Sequence, residues 1–437
     1  MLKTLLPYGQ VPQLAKTDVA YATGDTRLAP FYTYSPRPES FSEVLHDREK
    51  MMYPRADLVQ VLTEQYQALP KQALVHEHIE ALRQATTFTV ITAHQPSLLL
   101  GPLFFLYKAV TTINLAKIAE QENAGRRVVP VFVLGSEDHD LEELNSIHLY
   151  GKKLTWASTE QGAVGSMHTA GLAEILAELK TILGESEAAQ TLFARVERAY
   201  TEPLTLVEAT RAMLHELFGR YGLVVVDLND ARLKRHFIPV MRAELLEQPA
   251  FRLVNSSIEQ LNAAGFKTQA APREINLFYM QPGQRNRITL AAPVGSAADT
   301  ARHYQVLNTE ITFTEAEILT ELDAHPERIS PNVVLRPLMQ ESILPNLAYV
   351  GGGGELAYWL ERKALFAHFQ VPFPMLLRRN SVLWVDRELG KKLAKLQVTA
   401  LQLFEDIDTL VRNFVAAHST AEVHLAEEIA ALRQIFD

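Results

Sequence analysis

A cluster of polar side chains follows an apolar run near the middle of the chain. Val128–Leu134 is rich in β-branched residues, which predicts a strand buried on both faces, as in a parallel sheet. Beyond the next glycine come five polar residues: Ser136, Glu137, Asp138, His139 and Asp140. Carboxylates and imidazoles move protons or bind cations, and open α/β sheets bind ligands beyond the carboxyl ends of their strands. The pattern therefore predicts a functional site.

Two other interpretations of this cluster stay open. Ser136 or Asp138 could cap a helix that begins near Leu141, because such side chains accept hydrogen bonds from first-turn amides. One cap does not need five polar residues, so a site is favoured. The same side chains could bind a metal ion, but ligands this close in sequence point in different directions. No His-x-x-x-His pair accompanies them, and no metal is expected.

A second polar stretch lies between a predicted strand and a predicted helix. Thr89–Ala93 is the strand, His94 and Gln95 follow it, and the helix extends from Gly101 to about Glu120. With Val128–Leu134 these segments make a βαβ unit. Its right-handed crossover places the ends of both strands at one edge, so His94 and His139 are expected to line one crevice. Amides at the helix start could bind phosphate there, with His94 as a donor.

Two further stretches are candidates for the same crevice. Gly351–Gly354 follows a predicted strand at Tyr349-Val350 and precedes a predicted helix from Glu355 to about Phe369. The glycines allow a ligand to approach the backbone closely. Glu355 would repel a phosphate and suits an ammonium group or a sugar hydroxyl, although it could equally cap the helix.

Val333–Leu338 is predicted to be another buried strand. Arg336, Gln340 and Glu341, at its end and just after it, are expected to face the crevice, with a structural ion pair as the alternative role of Arg336.

Composition limits the possible classes of protein. The 437 residues are 47% hydrophobic and 21% charged, as in ordinary globular proteins. The net charge of −9 argues against broad nucleic-acid binding, and no apolar run is long enough to span a membrane. A cytoplasmic protein is expected. The absence of cysteine excludes disulfides and cysteine nucleophiles.

The pattern changes twice along the chain. Residues 150–220, mostly helical, and 250–330, with short strands at Ile275–Met280 and Ile288–Ala291, are expected to be insertions. Beyond about residue 386, apolar residues recur alternately four and three apart from Leu389 to Phe414, which predicts a coiled coil. A second stripe lies at Leu425–Phe436. Such a helix needs a partner, so a homodimer is expected.

Four motifs in chain order carry a resemblance to a known family. They are His94-Gln-Pro with Gly101-Pro-Leu-Phe and Tyr107-Lys, Pro130-Val-Phe-Val-Leu-Gly-Ser-Glu-Asp-His-Asp, Ser330-Pro-Asn-Val-Val-Leu-Arg-Pro-Leu-Met-Gln, and Tyr349-Val-Gly-Gly-Gly-Gly-Glu-Leu-Ala-Tyr-Trp. The chain resembles the BshC family, the cysteine ligases of bacillithiol biosynthesis, over its whole length.

The resemblance implies a fold and a reaction. The fold would be a Rossmann-like α/β core related to class I aminoacyl-tRNA synthetases, spanning residues 1–385 with two connecting-peptide insertions. A coiled-coil dimerisation region would occupy residues 386–437, and it is expected to be truncated because family members continue further. The reaction would add cysteine to glucosaminyl-malate, completing bacillithiol. The synthetases carry two histidines where this chain has only His94, so the use of ATP is left open.

The residues receive provisional roles on this basis. Asp138 and His139 are expected to act as bases, and His94 with Gln95 to contact the activated carboxyl group or a phosphate. Substrate binding is assigned to the remaining candidates: Gln95, Ser136, Glu137, Asp140, Arg336, Gln340, Gly352, Gly353, Glu355 and Tyr358. Two alternatives stay open, namely a metal-dependent hydrolase using His94, Asp138, His139 and Asp140, and a coiled-coil assembly protein with a relict site.

Overall fold

The computed structural model describes residues 3–291 and 302–418. The chain divides into two compact units: residues 20–382, and the first 19 residues together with the part from residue 383 onward. Within the described ranges, none of the helices is long and apolar enough to cross a membrane.

The described strands are β1 (Thr87–His94), β2 (Arg127–Leu134), β3 (Ser146–Leu149), β4 (Lys152–Thr155), β5 (Val224–Asp227), β6 (Leu277–Gln281), β7 (Gln284–Leu290), β8 (His303–Val306), β9 (Thr312–Thr314), β10 (Ile329–Pro331), β11 (Asn346–Gly351) and β12 (Met375–Arg378).

The described α-helices are α1 (Lys16–Thr23), α2 (Phe41–Arg48), α3 (Arg55–Gln65), α4 (Ala73–Ala81), α5 (Phe104–Glu122), α6 (Leu141–Leu144), α7 (Ala173–Leu183), α8 (Glu187–Thr201), α9 (Leu206–Phe218), α10 (Ala231–Arg235), α11 (Ile238–Glu247), α12 (Pro249–Ala263), α13 (Glu315–Ala324), α14 (Arg336–Ile343), α15 (Gly353–Leu360), α16 (Lys363–His368), α17 (Arg387–Leu396) and α18 (Ile407–His418).

A parallel sheet of five strands forms the centre of the larger unit. Its spatial order is β12-β11-β1-β2-β5, and every neighbouring pair is parallel. From β1 the chain first extends the sheet through β2 and β5, and later extends it on the other side through β11 and β12. The direction changes between β1 and β11, and a crevice opens at such a switch point beyond the carboxyl ends of the strands. The predicted parallel sheet is confirmed.

The composition of β2 explains why it lies at the middle of this sheet. Side chains alternate between the two faces of a strand, so its odd and even residues pack into different cores. Val129, Val131 and Val133 belong to one hydrophobic cluster, and Phe132 and Leu134 belong to another. A strand buried on both faces has no polar positions, which accounts for the continuous β-branched run that identified it in the sequence.

Two segments interrupt the α/β core. The first, between β2 and β5, contains the short helix α6, the antiparallel hairpin β3–β4 and then helices α7 to α9. The second contains an antiparallel sheet of order β10-β6-β7-β8-β9, together with α13. The hairpin in the first segment and the long helix α12 before the second sheet were not predicted.

The predicted strand at Val333–Leu338 is wrong, because α14 begins at Arg336. The side-chain oxygen of Asn332 accepts a hydrogen bond from the Val334 amide at 2.8 Å and turns the chain. Pro337 then lies in the first turn of the helix, where its fixed φ and missing N–H are tolerated. These turn signals outweigh the β-branched pair Val333-Val334 that suggested a strand.

The smaller unit contains α17 and α18. Gln397 ends α17 with a positive φ of 55°, and a 3₁₀ turn follows at Gln402–Phe404 before α18 begins. The predicted seam from Leu389 to Phe414 is therefore not one continuous helix. The predicted second stripe, Leu425–Phe436, lies outside the described residues.

A buried ion pair joins α2 to α14. Arg48 donates to the Glu341 carboxylate, and neither side chain is exposed to solvent. Burial raises the pKa of Glu341 to about 7, although Arg48 and the Asn346 amide oppose this rise. Glu341 is therefore a structural residue and does not face the crevice, contrary to the sequence prediction.

Removal of Arg48 is expected to be strongly destabilising. Arg48→Met leaves a buried carboxylate without its cation, and we expect a loss of about 3–5 kcal/mol in the free energy of unfolding. The folded-state pKa of Glu341 rises further in this variant, so stability falls as pH increases from the unfolded pKa toward the folded one. Urea unfolding at pH 5 and pH 8 should show the larger loss at pH 8. Arg83→Met, which breaks the exposed Arg83–Glu80 pair, should cost at most about 1 kcal/mol.

Candidate functional site

A cavity of about 410 Å³ lies at the switch point of the parallel sheet. The end of β1 contributes His94, the following loop contributes Gln95, and the start of α15 contributes Gly352, Gly353 and Gly354 on the opposite side. The other lining residues are Ala93, Phe104, Asp138, Val333, Arg336, Pro337, Gln340, Tyr349, Glu355, Tyr358, Trp359 and Arg379. We call this space the first cavity.

Asp138 is the one residue of the polar cluster at residues 136–140 that lines the first cavity. Its Oδ1 accepts from the His139 amide at 2.8 Å, and its Oδ2 accepts from Gln95 Nε2 at 3.1 Å. Burial alone raises the pKa of this carboxyl, but Arg336 and Arg285 outweigh burial and bring the pKa below its ordinary value. Asp138 is therefore an ionised carboxylate at neutral pH, which makes it a weak base and a good partner for a cation.

His94 presents a neutral imidazole to the first cavity. Its Nδ1 lies 2.9 Å from the Gln95 carbonyl oxygen, and because that oxygen can only accept, Nδ1 carries the proton. Nε2 is consequently the nitrogen with a free electron pair. Burial lowers the pKa of His94 to about 4, and the positive charges of Lys108 and Arg336 lower it as well. Phe104 and Phe105 pack around the ring.

Glu355 closes the bottom of the first cavity with a satisfied carboxylate. Its Oε1 accepts from Lys108 Nζ at 2.7 Å and from the Tyr349 hydroxyl at 2.8 Å. Its Oε2 accepts from the Gly352 amide at 2.8 Å, as a cap of α15. Burial raises the pKa of Glu355, but these partners outweigh burial and lower it. Glu355 therefore caps α15, as the alternative interpretation of the sequence predicted. Lys108 neutralises the Glu355 carboxylate, which is then not available to bind an ammonium group of a substrate.

Two arginines give the rest of the first cavity a positive character. Arg336 Nη2 lies 3.7 Å from Asp138 Oδ2, which places the guanidinium across from the loop after β2. Arg379 follows β12 and packs over the Phe104 ring, with 4.9 Å between its Cζ atom and the ring centroid. Guanidinium groups bind carboxylates and phosphates through paired hydrogen bonds. The first cavity thus has cationic groups for an anionic ligand and one carboxylate for an ammonium group.

Three other residues of the polar cluster, Ser136, Glu137 and Asp140, do not line the first cavity and have other partners. Glu137 forms a buried ion pair with Lys234, and Asp140 caps α6 by accepting from the Glu143 amide. Ser136 donates to Asp227 at 2.6 Å and faces a second cavity. The sequence prediction that these three bind the same substrate as Asp138 is not supported by their positions. The reason is geometric: side chains of successive residues after a strand point in different directions, so each of the three forms its contacts with a different part of the protein.

His139 shares the sheet edge with His94 but does not line the first cavity, contrary to the prediction. Its Nδ1 accepts a hydrogen bond from Arg285 Nη1 at 2.8 Å, and its ring lies 5.5 Å from that of Phe278. Burial and the Arg285 charge lower the pKa of His139, while Asp138 and Asp140 oppose them. These partners lie in the five-stranded antiparallel sheet, Phe278 on β6 and Arg285 on β7.

Several lining residues were missed in the sequence. Arg379 is the most important, and the signal for it was present: the apolar run Met375-Leu-Leu ends in two arginines, the same arrangement of strand and polar end found after β2. Arg285 does not line the first cavity but contacts His139, and it could not be found in this way because that contact depends on how the five-stranded antiparallel sheet packs.

The described residues bring together no group of three or more histidine and acidic side chains suited to hold a metal ion. The hydrolase alternative, which required such a group from His94, Asp138, His139 and Asp140, therefore has no support in the geometry.

A five-stranded parallel sheet with a ligand-sized cavity at its switch point defines a Rossmann-like α/β protein. The profile of the family described as "Bacillithiol biosynthesis BshC, N-terminal Rossmann-like domain" matches residues 5–380. The chain belongs to this family, as the four sequence motifs predicted.

Curated relatives agree with this assignment. Proteins named "Putative cysteine ligase BshC" from Christiangramia forsetii and Flavobacterium johnsoniae are each 40% identical to the chain, over 93% and 95% of its length. The chain covers 77% of each of these proteins. The protein of the same name from Flavobacterium psychrophilum is 38% identical over 99% of the chain and is covered to 80%.

The electrostatics of the first cavity can be tested at His94. With a pKa near 4, His94 should remain neutral from pH 5 to pH 8, and its imidazole carbon and proton shifts should not change over that range in an NMR titration. Lys108→Met removes a nearby positive charge and leaves the Glu355 carboxylate without its partner; both effects should raise the pKa of His94, and circular dichroism checks that the variant is folded. Lys117→Met, an exposed position on the same helix, is the matched control and should leave that pKa unchanged. A titration of His94 near its ordinary pKa in the unmodified protein would contradict the described burial.

Proposed function

We propose that this protein joins L-cysteine to glucosaminyl-malate through an amide bond, the last step of bacillithiol biosynthesis. The family and the names of its relatives support a ligase of this pathway. The observation that carries the finer proposal is the distribution of charge in the first cavity, where arginines 336 and 379 and the ionised Asp138 line the same space.

The charges of the substrate match this distribution. The malate part carries carboxylates, which pair with guanidinium groups, and the sugar carries a primary amine that is protonated in water. Arg336 and Arg379 would hold the carboxylates, and Asp138 would bind the ammonium group. The ionised state of Asp138 favours this binding role over the base role assigned from the sequence.

The reaction then needs a proton acceptor and an activated acyl group. The amine must lose a proton before its nitrogen attacks the cysteine carboxyl carbon. His94 lines the same cavity with an unprotonated Nε2 and would accept this proton transiently before passing it to solvent, because its pKa of about 4 makes it a weak base. The amides at the start of α15, at Gly353 and Gly354, would stabilise the oxyanion that develops. A free carboxylate does not acylate an amine at neutral pH, so we further propose that ATP supplies the activation and leaves as phosphate-containing products.

The direct test compares the wild-type protein and Asp138→Asn. With cysteine and glucosaminyl-malate, bacillithiol measured by mass spectrometry should form with ATP and fail to form without it. Asp138→Asn keeps the size and part of the hydrogen bonding but removes the charge that binds the ammonium group, and we expect a loss of about 10–10² in kcat/KM, mainly through a higher KM. Thermal unfolding of both proteins is the control, because a purely structural Asp138 would lower stability without lowering turnover per folded molecule. Equal kcat/KM for glucosaminyl-malate in the two proteins would end the assignment of Asp138 to substrate binding.

We also propose that the C-terminal helices mediate a homodimer. Neither α17 nor α18 buries any residue within the described chain, and their apolar side chains are exposed, among them Leu389, Leu396, Ile407 and Val411. Such helices are marginal in water without a partner.

The dimer can be tested by sedimentation at micromolar concentration. The wild-type protein should sediment as a dimer, and the combined substitution Leu396→Glu and Ile407→Glu should give monomers because it places charges in the apolar face. The matched control is Lys391→Glu and Arg412→Glu, on the same two helices. A wild-type monomer, or a dimer that survives the apolar substitutions, would show that these helices do not form the interface.

A further inference from the structure

A second cavity, larger than the first at about 560 Å³, lies at the same edge of the parallel sheet. Core residues at the ends of β2 and β5 form one wall, and both interrupting segments contribute the others, with Ser166 from the first and Met280 from the second. Its volume lies in the range of about 300–1,000 Å³ that is usual for ligand sites. None of the residues that line it lines the first cavity.

Asp227 is the fixed polar group of the second cavity. It ends β5, and its Oδ1 accepts from the Ser136 hydroxyl at 2.6 Å and from the Asn229 amide at 3.0 Å. These two donors hold the carboxyl group in one orientation. Within residues 3–291 and 302–418, no side chain or amide donates to its second oxygen, Oδ2. One carboxyl oxygen is therefore occupied and the other is available to a ligand.

Asn229 is the second polar group, and its side-chain oxygen lacks a partner among the described residues. Its side-chain oxygen is buried, and no donor from the described part of the chain reaches it. Buried acceptors without a hydrogen bond destabilise a fold, and they are rare unless a water or a ligand completes them. A ligand that donates hydrogen bonds to both Asp227 and Asn229 would satisfy the two neighbouring acceptors together.

The remaining walls combine hydroxyl groups and apolar surface with the polar side chains of Gln281, Glu327 and Arg328, which can also accept hydrogen bonds from a sugar or donate them to it. Ser166 and Thr205 carry hydroxyls, and Val207, Met280 and Pro282 are apolar. Two adjacent acceptors next to an apolar wall suit a sugar ring, because its neighbouring hydroxyls donate hydrogen bonds and its C–H face packs on apolar side chains.

We propose that the second cavity is a sugar-binding site in which neighbouring hydroxyls of a pyranose donate to Asp227 and Asn229. The proposal does not depend on the ligase reaction proposed for the first cavity. Neutral sugars and amino sugars share these hydroxyl groups. An amino sugar would bind more tightly, because its ammonium group is attracted to the Asp227 carboxylate.

The test measures binding of two probes, methyl glucoside and methyl glucosaminide, by calorimetry and by saturation-transfer NMR. All measurements use the full chain carrying Gly354→Trp, which adds a large side chain to the lining of the first cavity so that binding there is reduced. A Cβ atom at residue 354 meets nothing within 4 Å, so this background should fold. Asn229→Leu removes the unpartnered oxygen at similar size, and the matched control is Asn262→Leu, an exposed amide on α12.

The expected result is millimolar binding of at least one probe, weakened about tenfold or more by Asn229→Leu and unchanged by Asn262→Leu. Stronger binding of the glucosaminide identifies an amino-sugar site, and equal binding of both probes identifies a neutral-sugar site. Asn229→Leu should also keep or raise the thermal midpoint, since it removes an unsatisfied polar group. Should that variant fail to fold, Ser166→Trp, which fills the cavity from an exposed turn, must abolish binding. Absence of binding up to about 10 mM, or binding that survives both variants, overturns the proposal.

Discussion

The Lys108–Glu355 ion pair is the interaction on which the geometry of the first cavity depends. Lys108 Nζ donates to the Ala93 carbonyl at 2.6 Å as well as to Glu355, so α5, the end of β1 and the start of α15 meet at one buried ammonium group. The pair crosses the switch point, where neighbouring strands diverge. Charged groups that are this deeply buried are stable only when each has its partners, and removing either leaves the other uncompensated. The two sides of the first cavity are thus held at a fixed separation.

The elements of the core could be predicted because their signals are local. The run before Gly135 is apolar at every position, and only a strand between two helical layers requires that pattern. The strand predicted at Val333–Leu338 failed for an equally local reason, since Asn332 and Pro337 start a helix. The C-terminal heptad pattern is also genuine in the sequence, but the turn at Gln397 divides it, and nothing in the apolar spacing announces that turn.

The candidate site was predictable only in part. His94, Gln95, Asp138, Arg336 and the glycines converge because the parallel topology brings strand ends together. The positions of the Ser136, Glu137 and His139 side chains were not predictable, because each side chain binds a partner that is distant in sequence. Glu137, for example, pairs with Lys234. A polar cluster therefore locates an edge of the sheet reliably, but it does not tell which of its members faces a ligand.

The four glycines at the start of α15 are not equivalent. A Cβ atom at residue 351 would lie 2.9 Å from the Tyr349 ring, and one at residue 352 would lie 3.2 Å from the Arg379 guanidinium. Residue 354 has open space instead. Packing therefore constrains residue 351 and, less tightly, residue 352, whereas residue 354 sets only how much room a ligand has. A single substitution at residue 354 would narrow the range of ligands that fit the first cavity without disturbing the packing of the core. Related proteins can therefore differ in ligand preference through this one position.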